Sequence, residues 1–206
     1  MRKVIVLLVA ILISANVEAR RVDARSIQPR YTPVTIYFHD GTQREGFVRP
    51  LAIDARRVEF LYERGGSVQQ FESNTIKRIR RYHEEGAFGE VVWLPRSLVS
   101  ASGNVRERRP RWLSVVVMGH VTLYRLFEGG LAHYFARREG ESTATRIANG
   151  VGTRNPGGPN LGNVGWKFFQ DSYPEMAERI RNGEFSNMSA DIIAIIHEYN
   201  FRAGLR

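Results

Sequence analysis

The sequence predicts an α+β protein that is mainly β: a small five-stranded barrel-like or bent sheet, then an antiparallel meander, then a two- or three-helix C-terminal tail. Three observations predict it. Short apolar runs recur from Val34 onward, divided by Asp40-Gly41, Gly65-Gly66, Gly119-His120 and Gly129-Gly130. Runs of this kind between turn dipeptides are strands joined by tight turns. The strongest of them, Trp112 to Met118, carries the β-branched Val115, Val116 and Val117, residues that pack well on a pleated surface. A helical stripe, Ile192, Ile195, Ile196 and Tyr199, occurs only near the C-terminal end, and its i, i+3, i+4, i+7 spacing falls on one helix face.

The chain opens with Arg2 and Lys3 ahead of an unbroken apolar run from Val4 to Ile13, then a polar stretch ending Val17-Glu18-Ala19. A charged head, an apolar segment too short to span a bilayer and an A-x-A-like site are the parts of a signal peptide. Residues 1–19 are therefore expected to direct export and to be removed. Arg20 to Pro33 holds four arginines, two prolines and no periodic apolar face, and is expected to be a flexible basic arm.

Residues 34–86 are expected to form the small β domain, from five strands. Val34 to His39 meets Asp40-Gly41 and returns as Gln43 to Val48, where Gly46 marks a bulge or a close backbone approach. Arg57 to Tyr62, Ser67 to Glu72 and Ile76 to Tyr82 complete the set. Residues 87–148 are expected to be the antiparallel region. Its strands are Phe88 to Leu94, Trp112 to Met118, Val121 to Phe127, Leu131 to Arg137 and Glu141 to Ile147, with an arginine-rich loop from Pro95 to Pro110 (Arg96, Arg106, Arg108, Arg109). Residues 149–165, rich in glycine, read as a mobile loop. Residues 166–206 are the helical tail. Ser172-Tyr173-Pro174-Glu175 reads as a capping box with proline in the first turn, and Gly183 stops that helix. The last helix is expected from about Ser189 to Arg202. Its stripe should be buried, so Ile196 should matter to stability and Glu198 hardly at all.

Composition narrows the function. The 206 residues contain no cysteine. That removes a disulfide framework, thiolate catalysis, thiolate metal sites and lipoprotein anchoring. Export without disulfides points to a bacterial envelope, periplasmic or outer-membrane-associated. No second apolar run reaches membrane length, so no transmembrane helix is expected in the mature chain. The formal charge of +9 suits anionic partners.

The five histidines, His39, His83, His120, His133 and His197, are scattered without ligand spacing, so no metal and no cofactor is expected. The adjacent Glu84 and Glu85 would point to opposite faces of a strand. No phosphate-loop or nucleophile-elbow motif occurs. The densest basic stretch is Lys77-Arg78-Ile79-Arg80-Arg81-Tyr82. Lys77, Arg78, Arg80 and Arg81 are the candidate binding residues for an anionic partner. The competing reading is a solvated edge strand whose charges discourage sheet-to-sheet association. On the binding reading, removing Arg78 and Arg80 should weaken binding and leave the fold intact.

The strand–Asp-Gly–strand opening resembles Sm-like and SH3-like small barrels. A second likeness rests on the hairpin Val34 to Gly46, on Gly119-His120-Val121-Thr122-Leu123-Tyr124, on Tyr173-Pro174-Glu175-Met176 and on the closing Glu198-Tyr199-Asn200. It resembles uncharacterised exported proteins of Bacteroidota-type bacteria, in which a β-rich region precedes a short helical tail ending Tyr-Asn. That likeness implies an envelope location and no activity. The expected function is a non-enzymatic accessory or interaction protein of the cell envelope, most simply docking another envelope protein. The first alternative is a binder of anionic envelope glycolipid or polymer. The second is an enzyme with a dispersed site. Nucleic acid is not expected as a partner.

Overall fold

Strand β1 (Thr32–Phe38) is the hub of the N-terminal half. It runs antiparallel to β2 (Gln43–Val48) on one side and to β5 (Ile76–Tyr82) on the other. Asp40 sets the first turn, accepting from the Thr42 N–H at 2.8 Å, while Gly41 takes the positive φ of 87° that the turn demands. The Thr42 hydroxyl, which donates to the same oxygen at 2.7 Å, and then this N–H bond hold the Asp40 carboxyl below its ordinary pKa. In this computed structural model the described residues are 31–82, 88–94, 98–100, 110–149 and 160–204. The expected signal segment, the arm up to residue 30, His83, Glu84 and Glu85, the loop arginines Arg96, Arg106, Arg108 and Arg109, and the centre of the glycine-rich segment lie outside them.

The remaining strands are β3 (Arg57–Leu61), β4 (Gln69–Glu72), β6 (Phe88–Leu94), β7 (Leu98–Ser100), β8 (Arg111–Val117), β9 (Val121–Glu128), β10 (Leu131–Arg138) and β11 (Ala144–Asn149). Ten strands make one open antiparallel sheet in the order β4-β3-β2-β1-β5-β6-β8-β9-β10-β11, and the short β7 adds a parallel edge to β11. Three expectations change here. The arm was expected to run to Pro33, but Thr32 and Pro33 belong to β1; they pair only with β2, because the β5 ladder starts at Val34, so the missing proline N–H costs no ladder bond there. The first five strands do not close by pairing β5 with β4, because β5 pairs with β6 from Ile79↔Val91 to Tyr82↔Phe88. That ladder also crosses the expected boundary at residues 86 and 87. Thirdly, β7 lies within the stretch Pro95 to Pro110, whose polar, arginine-rich composition predicts a loop.

The N-terminal half is nonetheless bent. A flat sheet would separate β1 from β4 by about 14 Å. Yet the Phe38 and Phe71 rings meet edge to face at 5.0 Å. The core on this face gathers Val34, Ile36, Val58, Phe60, Ile76 and Ile79 with the paired Trp93 and Trp112. Gly46 permits the tight fit of β2 on β3, since a Cβ there would lie 2.2 Å from the Leu61 carbonyl oxygen. A second core, of Leu113, Tyr124, Leu126, Phe135 and Ala144, lies on the opposite face of the sheet. The segment between β2 and β3 spans both cores: Leu51 and Ala55 pack on the first, Ile53 on the second. Backbone bonds tie it to Trp112, whose N–H donates to Ile53 O at 2.7 Å and whose indole donates to Ala55 O at 3.1 Å.

Three helices follow the sheet: α1 (Trp166–Phe169), α2 (Pro174–Arg181) and α3 (Ser189–Ala203). The end of the expected loop is ordered. Asn160 caps a π-helical turn, Leu161–Gly165, that leads directly into α1, and Asn149 closes β11. Gly165 sits against Ile147 O, where a Cβ would approach to 2.6 Å. The expected capping box is not formed. Tyr173 is the N-cap of α2 and makes no side-chain cap bond, and the Ser172 hydroxyl instead receives Arg138 Nη2 at 3.4 Å. Ile180, Ile192, Ile195 and Ile196 bury against Leu123, Tyr134 and Ile147 of the sheet. Among the described residues, no helix is long and apolar enough to cross a membrane.

Candidate functional site

Side chains alternate faces along a strand, so the register decides which residues share a surface. The pairs Arg80↔Glu90, Glu90↔Val115 and Val115↔Tyr124 line up across β5, β6, β8 and β9. Tyr37 stands opposite Arg78 on the same face. The basic stretch is therefore divided. Arg78 and Arg80 share this face. Arg81 is paired one residue out of phase, with Val34 and Gly89, on the side of Ile79, and burial lowers its pKa. A bulge between Tyr37 and Phe38 leaves Lys77 as the extra residue of β5, exposed beside Arg78. Bulges re-aim side chains in this way.

Glu90 is the residue that organises the face. It is 4 % exposed, at the centre of the sheet. A carboxylate at that depth needs compensation. Arg80 supplies it, with Nε at 3.1 Å and Nη2 at 2.9 Å from Oε1, and this bond raises the Arg80 pKa. Arg78 Nη1 stands 3.5 Å from the same oxygen, and its guanidinium lies 4.3 Å above the Tyr37 ring. Oε2 of Glu90 and Nε of Arg78 are buried without a hydrogen-bond partner among the described residues. This corrects the expectation that Arg78 and Arg80 can both be removed with the fold intact. Stripping a buried carboxylate of its partners costs about 3–5 kcal/mol.

A groove of about 470 Å³ opens over this face. Lys77 and Arg78 of β5 form one wall, Tyr124 and Arg137 of β9 and β10 the other, and Glu90 and Val115 lie between them on the central strands. His39 and Met118 line its rim. The Arg137 guanidinium sits 5.4 Å from the Tyr124 ring centre. Burial raises the Tyr124 hydroxyl pKa, with Arg137 and Thr122 pulling the other way. A neighbouring hollow of about 620 Å³ shares Gly119, Thr122 and Arg137 and adds His120, Arg138, Glu139 and Glu141, so its lining carries both signs of charge. Among the described residues no three His, Asp or Glu side chains gather as a metal would need. The groove thus has cationic side chains on both walls, Lys77 and Arg78 on one and Arg137 on the other, with the Glu90 carboxylate between them.

The charge run in the sequence pointed to one wall only. Glu90, Tyr124 and Arg137 carried a weaker signal. Glu90 is the one charge in the apolar run Phe88 to Leu94, and a charge in such a run is normally buried with a partner. No known protein family, curated protein or solved structure matches this chain.

Proposed function

We propose that this chain is a non-enzymatic exported accessory protein of the bacterial envelope whose working surface is the β5–β10 groove, and that the groove holds an anionic group of an envelope glycolipid or polymer. One observation carries the reading. Lys77 and Arg137 face each other across the groove, and neither joins an ion pair among the described residues. Arg49, Arg57, Arg179 and Arg202, by contrast, each rest on a carboxylate. Cations that line one concave surface make the potential there positive and attract an anion to it. The net charge of +9 adds long-range attraction.

The test is co-sedimentation with lipopolysaccharide-containing vesicles and with neutral phosphatidylcholine vesicles, as salt is raised. The expected result is capture by the anionic vesicles alone, falling steeply with salt. The K77A/R137A double variant should lose at least tenfold in apparent affinity with an unchanged melting temperature. Capture that persists at high salt points instead to an apolar protein interface. Unaltered capture by the folded double variant removes the groove from the function.

A further inference from the structure

We infer that the anion recognised here is carried on a hydroxylated ligand, an acidic sugar, and that Glu90 reads one of its hydroxyl groups. This rests on the groove being the binding surface. The inference comes from two atoms. Glu90 Oε2 is a buried acceptor with no donor among the described residues, and Arg78 Nε is a buried donor with no acceptor. They belong to side chains only 3.5 Å apart, both of which line the groove. Leaving such groups unmet is costly, most of all when the acceptor is charged.

The chemistry of the missing partner follows. Glu90 Oε2 asks for a donor. A carboxylate or a phosphodiester carries no proton to donate at neutral pH, and a phosphate monoester carries one only in part. An ammonium donates, but Lys77, Arg78 and Arg137 repel it from the same groove. A neutral hydroxyl donates to one atom and accepts from another, so a single sugar hydroxyl can meet Glu90 Oε2 and Arg78 Nε together once the Arg78 side chain, 34 % exposed, shifts to uncover these two covered atoms. An acidic group on the same sugar then reaches Lys77 or Arg137. The exposed Met118 at the rim offers an apolar surface to the C–H face of a ring. The groove volume falls in the range of small-ligand sites, about 300–1,000 Å³.

The experiment is isothermal titration calorimetry on the whole mature chain at low salt with three probes. Trigalacturonate carries carboxylates and hydroxyls. Its O-methylated derivative keeps rings, carboxylates and acceptor oxygens but has no hydroxyl donor. Tricarballylate carries three carboxylates and no ring. Trigalacturonate is expected to bind at least tenfold more tightly than either of the others. In E90Q, verified as folded by its melting curve, that preference should fall to less than threefold while tricarballylate binding is kept. Equal affinity for all three probes overturns the hydroxyl inference and leaves the anion groove standing. A full preference in folded E90Q removes Glu90 as its reader. No binding of any probe overturns the groove reading itself. The O-methylated comparison uses the wild-type chain, so it decides the hydroxyl question whether or not E90Q folds.

Discussion

Asn200 binds both backbone groups of Val121, a residue 79 positions earlier in the chain. Its Oδ1 accepts the Val121 N–H at 2.7 Å, and its Nδ2 donates to the Val121 carbonyl at 2.9 Å. One amide side chain thus pairs with the first residue of β9 as a neighbouring strand would. Gly119 makes room for it, since a Cβ there would lie 2.4 Å from Asn200 Nδ2. Asn200→Asp keeps the size and the acceptor but loses the donor, and it sets a carboxylate against a carbonyl oxygen. The expected loss is about 1–3 kcal/mol, the penalty for an unmet buried group. Urea denaturation measures it. Asn200→Asp stability equal to wild type would show that the clasp contributes nothing.

Gly46→Ala should destabilise the N-terminal half. The new methyl would fall 2.2 Å from Leu61 O and 2.5 Å from the Phe60 ring. The nearest obstacle is backbone, so β2 must move away from β3. Overpacking of this kind costs about 1–3 kcal/mol. The readout is the melting temperature, and a value within a degree of wild type would contradict the close approach.

Ile196 and Glu198 were expected to differ, with Glu198 inert. The structure changes the second half of that expectation. Glu198 accepts from the Tyr173 hydroxyl at 2.7 Å and from Arg179 Nη1 at 2.9 Å, joining α2 to α3. Ile196→Ala should cost about 2–5 kcal/mol, as buried isoleucine truncations do. Glu198→Ala should cost about 1 kcal/mol, the net worth of a typical hydrogen bond. A double-mutant cycle with Tyr173→Phe should show coupling of about 0.5 kcal/mol or more. Strict additivity would mean that the hydroxyl bond is absent in solution.

Asp191 gives the molecule an acid-sensitive contact. It lies in the first turn of α3 and accepts from the Ser186 N–H at 2.7 Å and from the Ser186 hydroxyl. These bonds lower its pKa from the ordinary value of 3.8. The folded pKa is the lower one, so the contribution is fully present above the unfolded value and is lost as pH falls through the folded value. Asp191→Asn should therefore be less stable than wild type at pH 7, and the two should converge as pH falls below the folded pKa of Asp191. A gap between the variants that is constant with pH would rule this out.

Much of the sheet was legible because its signals are local. Gln43 to Val48, Ile76 to Tyr82 and Phe88 to Leu94 have the expected bounds, since alternation and turn glycines mark them. Gly46 was legible as a close approach, although its partner Leu61 was not. What failed depends on partners far along the chain. Ser172 has the spacing of a capping residue but faces Arg138. The order of residues 160–165 comes from the Asn160 cap and from Asn187, whose Oδ1 accepts the Leu161 N–H. The Lys77 bulge has no glycine to announce it. The site was half legible for the same reason: a charge run appears in one strand, whereas Glu90 and Arg137 join it only through the order in which strands pair.

The segment from Leu51 to Ala55 has a thermodynamic consequence. Alternate residues of one short connection are seated in two cores on opposite faces of the sheet, and Trp112 holds the backbone between them. Neither core can dissolve without withdrawing the segment from the other, so their melting free energies are linked and neither has a melting point of its own. Heat should unfold the chain in a single transition whose calorimetric and van't Hoff enthalpies agree, although the sequence reads as two successive β regions.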